Sequence, residues 1–292
     1  MAIYNNNGIE ISSAFGRTGV ELNEAFAIDG TSVFLKDRTI KVMTYNVGTW
    51  YDGKHDNVPA DKDAEYYALQ KGMILSDDAD IVCLEEYCKE FSKTGRTAYS
   101  LLAECGYTYI HEQGGDNPSA SNANGRCIAS KYPITGYTVR NFTDGSGLYY
   151  DTCTITVHGI AINVMVTHLH WNDREKRTSE MQTIMSVLAG FQTFILCGDF
   201  NTTDNYDVEG ADYLAIIKPL IDAGYNVANG GAFGFKITYS SYPDNSWTAC
   251  LDNIVTSSNI EMLGVVVDET KLNDGITTER VDHLPLISTL QI

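Results

Sequence analysis

Several strand-like apolar runs of this chain end in a residue with acid, base or ligand chemistry. The clearest is Cys-Gly-Asp-Phe-Asn at 197–201, where the run 193–196 is followed by the carboxylate of Asp199 and the carboxamide of Asn201. Because open sheets collect functional residues at the carboxyl ends of their strands, we expect one shared site. The other runs of this kind end at Asn46, Glu86, His168 and the pair Asp282 and His283.

These residue types favour metal-assisted phosphoryl chemistry. Carboxylate and carboxamide oxygens are ligands for hard divalent cations such as Mg²⁺ or Mn²⁺. Imidazoles beside such a cation suit reactions at phosphorus, because negative charge builds up on the phosphate and must be neutralised.

Composition limits the class of protein and its partners. A chain of 292 residues can bury a large core, and its net charge of -18 argues against a broad basic surface for nucleic acid. A bound cation could still neutralise phosphates locally. We expect no transmembrane helix and no signal peptide, which makes a cytoplasmic or phage-associated location the default. None of the 7 cysteines stands in a C-x-x-C pair, and we expect buried free thiols.

Hydrophobic spacing from Thr39 onward predicts the elements that position these residues. Helices are expected near 62–76, 98–105, 173–189 and 211–223, and a hairpin turn at His158 and Gly159. This mixed order predicts two β-sheets packed face to face with helices outside. Strands are expected near 40–46, 80–84, 107–111, 126–130, 148–157, 160–167, 193–198, 235–240, 250–256, 261–268 and 285–291.

Seven short motifs in one order resemble the endonuclease/exonuclease/phosphatase superfamily, in its deoxyribonuclease I-like branch. The resemblance implies the α+β class, with a four-layer α/β sandwich of two packed mixed β-sheets flanked by helices over residues 39–292. It also implies metal-dependent phosphoester hydrolysis. The motifs are T-Y-N-V at 44–47, L-E-E at 84–86, N-G-R-C-I-A-S-K-Y-P-I at 124–134, T-H-L at 167–169, G-D-F-N at 198–201, L-D-N-I-V at 251–255 and D-H-L-P at 282–285.

The resemblance implies a metal site on one side of the cleft. Glu86 takes the place of the family's main metal-binding glutamate, with Asn46 beside it and Asp282 facing the metal. Glu85 stands where the family usually has glutamine. The expected cofactor is Mg²⁺ or Mn²⁺, with Ca²⁺ as an alternative structural ion.

The resemblance also implies five catalytic residues. Asp199 would activate the attacking water or bind a second metal, and Asn201 would orient that water or hold the phosphate. His283 would stabilise the charge on the phosphate, with Asp252 as its carboxylate partner. His168 would donate to a phosphate oxygen or to the leaving group.

Departures from the family pattern bear on the substrate. Cys88 stands where deoxyribonuclease I-like members carry an arginine, which weakens the expectation of tight duplex-DNA binding. Asn124 is expected to serve in place of a carboxylate that some nucleases offer to the His168 position. Trp171 and Trp247 flank motif residues and either contact the substrate or simply pack.

Three functions compete at this point. A nuclease with nucleic acid as its partner is favoured by the G-D-F-N and L-D-N-I-V motifs. The alternatives are a phosphatase or phospholipase C-type enzyme acting on inositol phosphates, sugar phosphates or sphingomyelin, and a binding module whose catalytic site has decayed.

Residues 1–38 contain none of these motifs. Their segments 8–15 and 19–26 match at an offset of 11, which predicts a duplicated short β unit. This unit is either an arm or edge hairpin that packs on the catalytic domain 39–292, or an element for attachment or oligomerisation.

A chain that begins at Thr39 is expected to keep metal-dependent hydrolysis of a bis-aryl phosphodiester, because every motif residue follows that position. The rates of the full and shortened chains would be compared, with circular dichroism and size-exclusion chromatography as controls for folding. A shortened chain that is folded and monodisperse but inactive would contradict the predicted separation of arm and domain.

Overall fold

Two six-stranded mixed β-sheets organise the computed structural model of this chain, which describes residues 38–48, 63–87, 89, 97–113, 125–202, 207–240, 247–270 and 282–292. The helices are α1 (Asp63–Asp77), α2 (Ala98–Glu104), α3 (Arg174–Leu188) and α4 (Lys218–Asp222), with a π-helical segment at Tyr213–Ile217. The strands are β1 (Thr39–Asn46), β2 (Ile81–Tyr87), β3 (Tyr109–Gln113), β4 (Gly125–Ser130), β5 (Ile134–Asn141), β6 (Tyr149–Val157), β7 (Ile160–His168), β8 (Phe194–Asp199), β9 (Asn226–Val227), β10 (Tyr239–Ser240), β11 (Thr248–Ala249), β12 (Asp252–Thr256), β13 (Glu261–Val267) and β14 (Leu286–Gln291).

Each large sheet contains a parallel pair of neighbouring strands, and the two strands of a pair end at the same edge of their sheet. Sheet A has the order β13-β14-β1-β2-β4-β3, and sheet B has the order β5-β6-β7-β8-β12-β9. The parallel pairs are β1 with β2 and β7 with β8. Strands β10 and β11 form a separate antiparallel pair.

Three hydrophobic cores separate four layers. The inner core lies between the sheets and contains Val42 and Cys83 of sheet A with Val164 and Cys197 of sheet B. One outer core packs α1 and α2 on sheet A, and the other packs α3 and α4 on sheet B. This arrangement confirms the predicted four-layer sandwich. No helix within the described residues is long and apolar enough to cross a bilayer.

The two-residue period of the strands decides which polar groups face the other sheet. In β8, Ile195 and Cys197 point into the inner core, and Asp199, two residues further on, takes the same face. The apolar residues therefore hold the sheets together up to the strand end, where polar residues replace them. The same two-residue period places Asn46 of β1, His168 of β7 and Asp252 of β12 on the inner face.

The predicted elements are largely confirmed, with three corrections. The predicted helix 211–223 contains the π-helical segment before α4, and Pro219 supplies a reason because it has no N–H to donate to Ala215. Strand β5 was not predicted, since its exposed residues break the apolar alternation. The predicted strand 235–240 is reduced to Tyr239–Ser240.

Local turn and cysteine predictions are also confirmed. His158 and Gly159 have φ values of 48° and 81°, as a two-residue hairpin with two left-handed positions requires. Six cysteines of the described residues are free and buried. The proposed β unit at 1–38 lies outside the described residues apart from Arg38.

Gly198 allows β7 and β8 to approach closely at the strand ends that carry His168 and Asp199. A Cβ at Gly198 would lie 2.1 Å from the Thr167 carbonyl oxygen, which is far inside van der Waals contact. Any other residue would push the two strands apart, and with them the two side chains that follow.

Gly198→Ala is expected to lower the free energy of unfolding by at least about 2 kcal/mol, because the added methyl group overpacks a backbone contact. The matched control is Gly264→Ala on β13, where a Cβ meets no atom within 4 Å, and its effect should stay below about 1 kcal/mol. Urea denaturation followed by circular dichroism measures both. Equal midpoints for the two variants would contradict the expectation.

Candidate active site

The Asp199 carboxylate lies at the centre of the polar groups between the two sheets. Its Oδ2 accepts a hydrogen bond of 3.0 Å from Nδ2 of Asn46. The same oxygen lies 3.5 Å from Nε2 of His168 and 3.7 Å from Nε2 of His283. Residues from β1, β7, β8 and the segment before β14 thus lie around one atom.

The turn after β8 holds Asp199 in place. Oδ1 of Asp199 accepts a hydrogen bond of 2.8 Å from the backbone N–H of Asn201, whose φ is 51°. The Asn201 side chain donates through Nδ2 to the Leu169 carbonyl oxygen at 2.8 Å. The Asn201 carboxamide therefore ties the end of β8 to the segment after β7, and this bond orients both Asp199 and His168.

His283 and Asp252 form a buried pair. Nδ1 of His283 lies 2.8 Å from Oδ2 of Asp252, and both side chains are buried. Burial alone would lower the pKa of His283, but the charges of Asp252 and Asp199 outweigh it and raise the pKa to about 10. The imidazole of His283 is therefore a cation at neutral pH, with its Nε2–H directed towards the side of Asp199.

His168 has the opposite protonation state. Burial lowers the pKa of His168 to about 4, and the positive charge of Arg126 acts in the same direction against the raising effect of Glu86. Nη2 of Arg126 donates to the His168 carbonyl oxygen at 3.2 Å, and its guanidinium lies 4.1 Å from the Tyr149 ring centroid. Arg126 lies in the motif at 124–134, but no role for it was predicted from the sequence.

A β-bulge turns Glu86 towards the site. Strict alternation along β2 would direct Glu85 inward and Glu86 outward. The pairing of β2 with β4 shifts between Glu85 and Tyr87, and Glu86 has a φ of 50°. As a result Oε1 of Glu86 accepts a hydrogen bond of 3.1 Å from Nδ2 of Asn46.

Glu85 lies beneath the site. Its side chain is buried, and Oε1 accepts a hydrogen bond of 2.9 Å from Oγ1 of Thr44. Burial raises the pKa of Glu85 well above its ordinary value, and the negative charges of Asp252 and Asp199 add to the effect. The shift favours the protonated form of this carboxyl group.

Within the described residues, the acidic groups of the site have imidazoles as their only basic partners. Among the described residues, no lysine or arginine forms an ion pair with Glu86, Asp199 or Asp282, and the described ion pairs of Asp199 and Asp282 are with imidazoles. Oδ1 of Asp282 lies 3.9 Å from Nε2 of His283, and its side chain is partly exposed. Closely spaced carboxylates of this kind are favourable when a cation is bound.

One group of three side chains within the described residues is close enough to hold an ion as it stands. The ligand atoms of Asp199, Asp252 and His283 lie within 4.8 Å of one another. A hydrogen bond of 2.8 Å already joins His283 and Asp252. As it stands, this group is therefore a hydrogen-bonded pair beside a carboxylate.

The two described tryptophans lie at the rim. Trp171 is 69% exposed and Trp247 is 42% exposed. The Trp247 ring packs edge-on against Tyr239 at a centroid distance of 5.0 Å, and Tyr239 packs in the same way on His283 at 5.1 Å. Asn124 lies outside the described residues.

A family profile and solved structures both match this chain. The Endonuclease/Exonuclease/phosphatase family profile matches residues 43–278. Curated protein sequences gave no match.

Solved structures share the fold at low sequence identity. An endonuclease/exonuclease/phosphatase protein from Beutenbergia cavernae has a TM-score of 0.64 at 17% identity, covering 88% of this chain and 72% of that one. TDP2 from D. rerio, in complex with a single-strand DNA product, has a TM-score of 0.65 at 15% identity, covering 88% and 100%. The human Nocturnin catalytic domain with bound sulfate has a TM-score of 0.59 at 17% identity, covering 86% and 94%.

The family profile spans both sheets and the site residues from Asn46 to Asp252, and the four-layer sandwich is the fold of these structural neighbours. This chain belongs to the endonuclease/exonuclease/phosphatase family of phosphoester hydrolases.

Proposed function

We propose that this protein is a divalent-metal-dependent nuclease that cleaves phosphodiester bonds by attack of an Asp199-activated water. The observation that carries the proposal is the position of Oδ2 of Asp199, 3.5 Å from the neutral imidazole of His168 and 3.7 Å from the charged imidazole of His283. A base thus lies beside a fixed positive charge. The single-strand DNA product in the D. rerio TDP2 complex supports nucleic acid as the substrate.

A divalent cation would be held by Glu86, Asn46 and Asp282. Their oxygen atoms suit Mg²⁺ or Mn²⁺, and the lack of basic counter-charges around Glu86 and Asp282 in the described residues fits a bound cation. In the structure Oδ1 of Asn46 accepts from the Gly48 N–H at 3.0 Å, so the carboxamide would have to reorient to contribute its oxygen. When bound, the cation would supply positive charge to the phosphate oxygens.

The side chains of this protein then divide the work of hydrolysis. Asp199 accepts a proton from the water, because its Oδ2 lies within 3.7 Å of Nε2 of both imidazoles that would contact the phosphate. His283 donates through Nε2 to a phosphate oxygen as negative charge builds up, and Asp252 maintains its charge and orientation through Nδ1. His168 is neutral, so Nε2 donates to the phosphate or leaving group only in the tautomer that carries its hydrogen there.

Each element of this mechanism argues against a decayed binding module. The central hydrogen bonds are formed, and the protonation states of the two imidazoles differ as an acid–base site requires. The phosphatase and phospholipase alternatives use the same groups. A panel of plasmid DNA, RNA, inositol phosphates, sphingomyelin and a bis-aryl phosphodiester would separate them.

Removal of divalent metal is expected to abolish hydrolysis of a bis-aryl phosphodiester, because Glu86, Asp199 and Asp282 would be left without a counter-cation at the phosphate. The protein would be dialysed against EDTA, assayed, and assayed again after addition of Mg²⁺ or Mn²⁺. Circular dichroism before and after dialysis serves as the control for folding. Full turnover in excess EDTA would defeat the metal-dependent mechanism.

Asp199→Asn and Asp252→Asn are each expected to lower kcat by at least about 10²-fold, the first by removing the base and the second by removing the partner that keeps His283 charged. Asp222→Asn on α4 is the matched control, since this exposed carboxylate pairs with Lys218 of the same helix and is not a site residue. The measurement is kcat under saturating metal. A wild-type rate in a folded Asp199→Asn or Asp252→Asn variant removes that residue from the mechanism.

A further inference from the structure

The segment that follows His168 displays an exposed tryptophan on a fixed backbone. The Leu169 carbonyl accepts from Asn201 at 2.8 Å, and the His170 N–H donates to Oε2 of Glu180 at 2.8 Å. Nη1 of Arg177 donates to the carbonyl oxygens of His170 at 3.0 Å and Trp171 at 3.3 Å. Four side-chain bonds therefore hold three consecutive residues, and the side chain of the last, Trp171, is 69% exposed.

The groups that hold this segment are themselves anchored. Arg177 and Asp212 are buried, and Nη2 of Arg177 donates to both Asp212 carboxylate oxygens at 2.8 and 2.9 Å. Nε of Arg174 donates to the same carboxylate at 2.9 Å. A buried ion pair of this kind is costly to form. Here it joins Arg177 of α3 to Asp212, the residue before the π-helical segment. The same Arg177 supports the Trp171 backbone.

A second exposed aromatic ring is linked to the site through His283. Trp247 packs on Tyr239, and Tyr239 packs on His283, so a row of rings leads outward from this imidazole. Trp171 instead follows His168, three residues after the end of β7. The two tryptophans are therefore tied to the two different imidazoles that lie 3.5 and 3.7 Å from Oδ2 of Asp199.

Exposed aromatic rings beside a hydrolytic centre suit flat ligands that stack. A tryptophan has two rotatable bonds and a large apolar face, so little conformational freedom is lost on contact. Nucleobases present such faces when they are unpaired, whereas bases inside a duplex stack on one another. The net charge of -18 argues against a broad basic surface for phosphates, so stacking would carry a larger share of the binding.

We propose that Trp171 and Trp247 are stacking platforms for unpaired bases on either side of the scissile phosphate, so that the substrate is a single strand and not a duplex. This inference rests on the proposed nuclease function. Arg177 acts as a positioning residue, since it is buried and holds the backbone of Trp171.

The experiment compares Trp171→Ala, Trp247→Ala and Trp171→Phe with the wild-type protein. The substrates are a labelled single-stranded oligonucleotide, the same strand annealed to its complement, and bis-p-nitrophenyl phosphate. Each alanine variant should lower the ratio of kcat/KM for the single strand to kcat/KM for the small diester by about tenfold or more, mainly through KM. Trp171→Phe should retain most of the ratio, because phenylalanine still stacks.

Val266→Ala is the matched control, because Val266 is 60% exposed on the edge strand β13 and lies outside the site. This variant should leave both rates unchanged. An unchanged ratio in both alanine variants, or a wild-type preference for the duplex, would overturn the inference.

Binding measurements separate this inference from the proposed function. Fluorescence anisotropy with Asp199→Asn protein reports single-strand binding without cleavage. In one outcome, Asp199→Asn protein binds the single strand tightly, the additional change Trp171→Ala abolishes this binding, and wild-type protein does not hydrolyse the strand. This outcome would overturn the nuclease function and support the platforms. Hydrolysis by wild-type protein, together with equal single-strand binding with and without Trp171, would overturn the platforms alone.

Discussion

The alternation of side chains along a strand, applied to two sheets that share one core, is the constraint on which the site depends. The inner core requires an apolar residue at every second position, and it ends where the sheets stop facing each other. The next residue of the same parity then lies at the mouth of the sandwich without apolar partners. Asn46, His168 and Asp199 occupy such positions, and Gly198 lets the two strands that carry the latter two approach within backbone contact.

Because these groups are buried together, their charges are set by one another and not by solvent. The negative charges of Asp252 and Asp199 raise the pKa of His283, whereas burial and the positive charge of Arg126 lower the pKa of His168. Burial raises the pKa of Glu85, because a further charge between the sheets is costly. One small volume thereby holds a charged imidazole and a neutral one within reach of the same carboxylate, which is the asymmetry that acid–base chemistry needs.

Helix α3 connects this centre to its rim. Its Arg177 and Glu180 bind the backbone that follows His168, so the imidazole and the exposed Trp171 are positioned by one rigid support. At His283, ring packing leads outward through Tyr239 to Trp247. Hydrogen bonds therefore hold the backbone of Trp171, and ring contacts connect Trp247 to the site.

The sequence by itself determined the features that depend on local pattern and order. Apolar alternation and the residues after it predicted most of the strands, their polar ends and one shared site, and seven ordered motifs predicted the four-layer sandwich. Tertiary structure alone decided what depends on distant neighbours. The bulge that turns Glu86 inward arises from pairing with β4, the pKa shifts of Glu85 and both histidines arise from shared burial, and the Arg177–Asp212 support joins residues far apart in the chain. Such effects are sums over contacts between segments, and no local spacing encodes them.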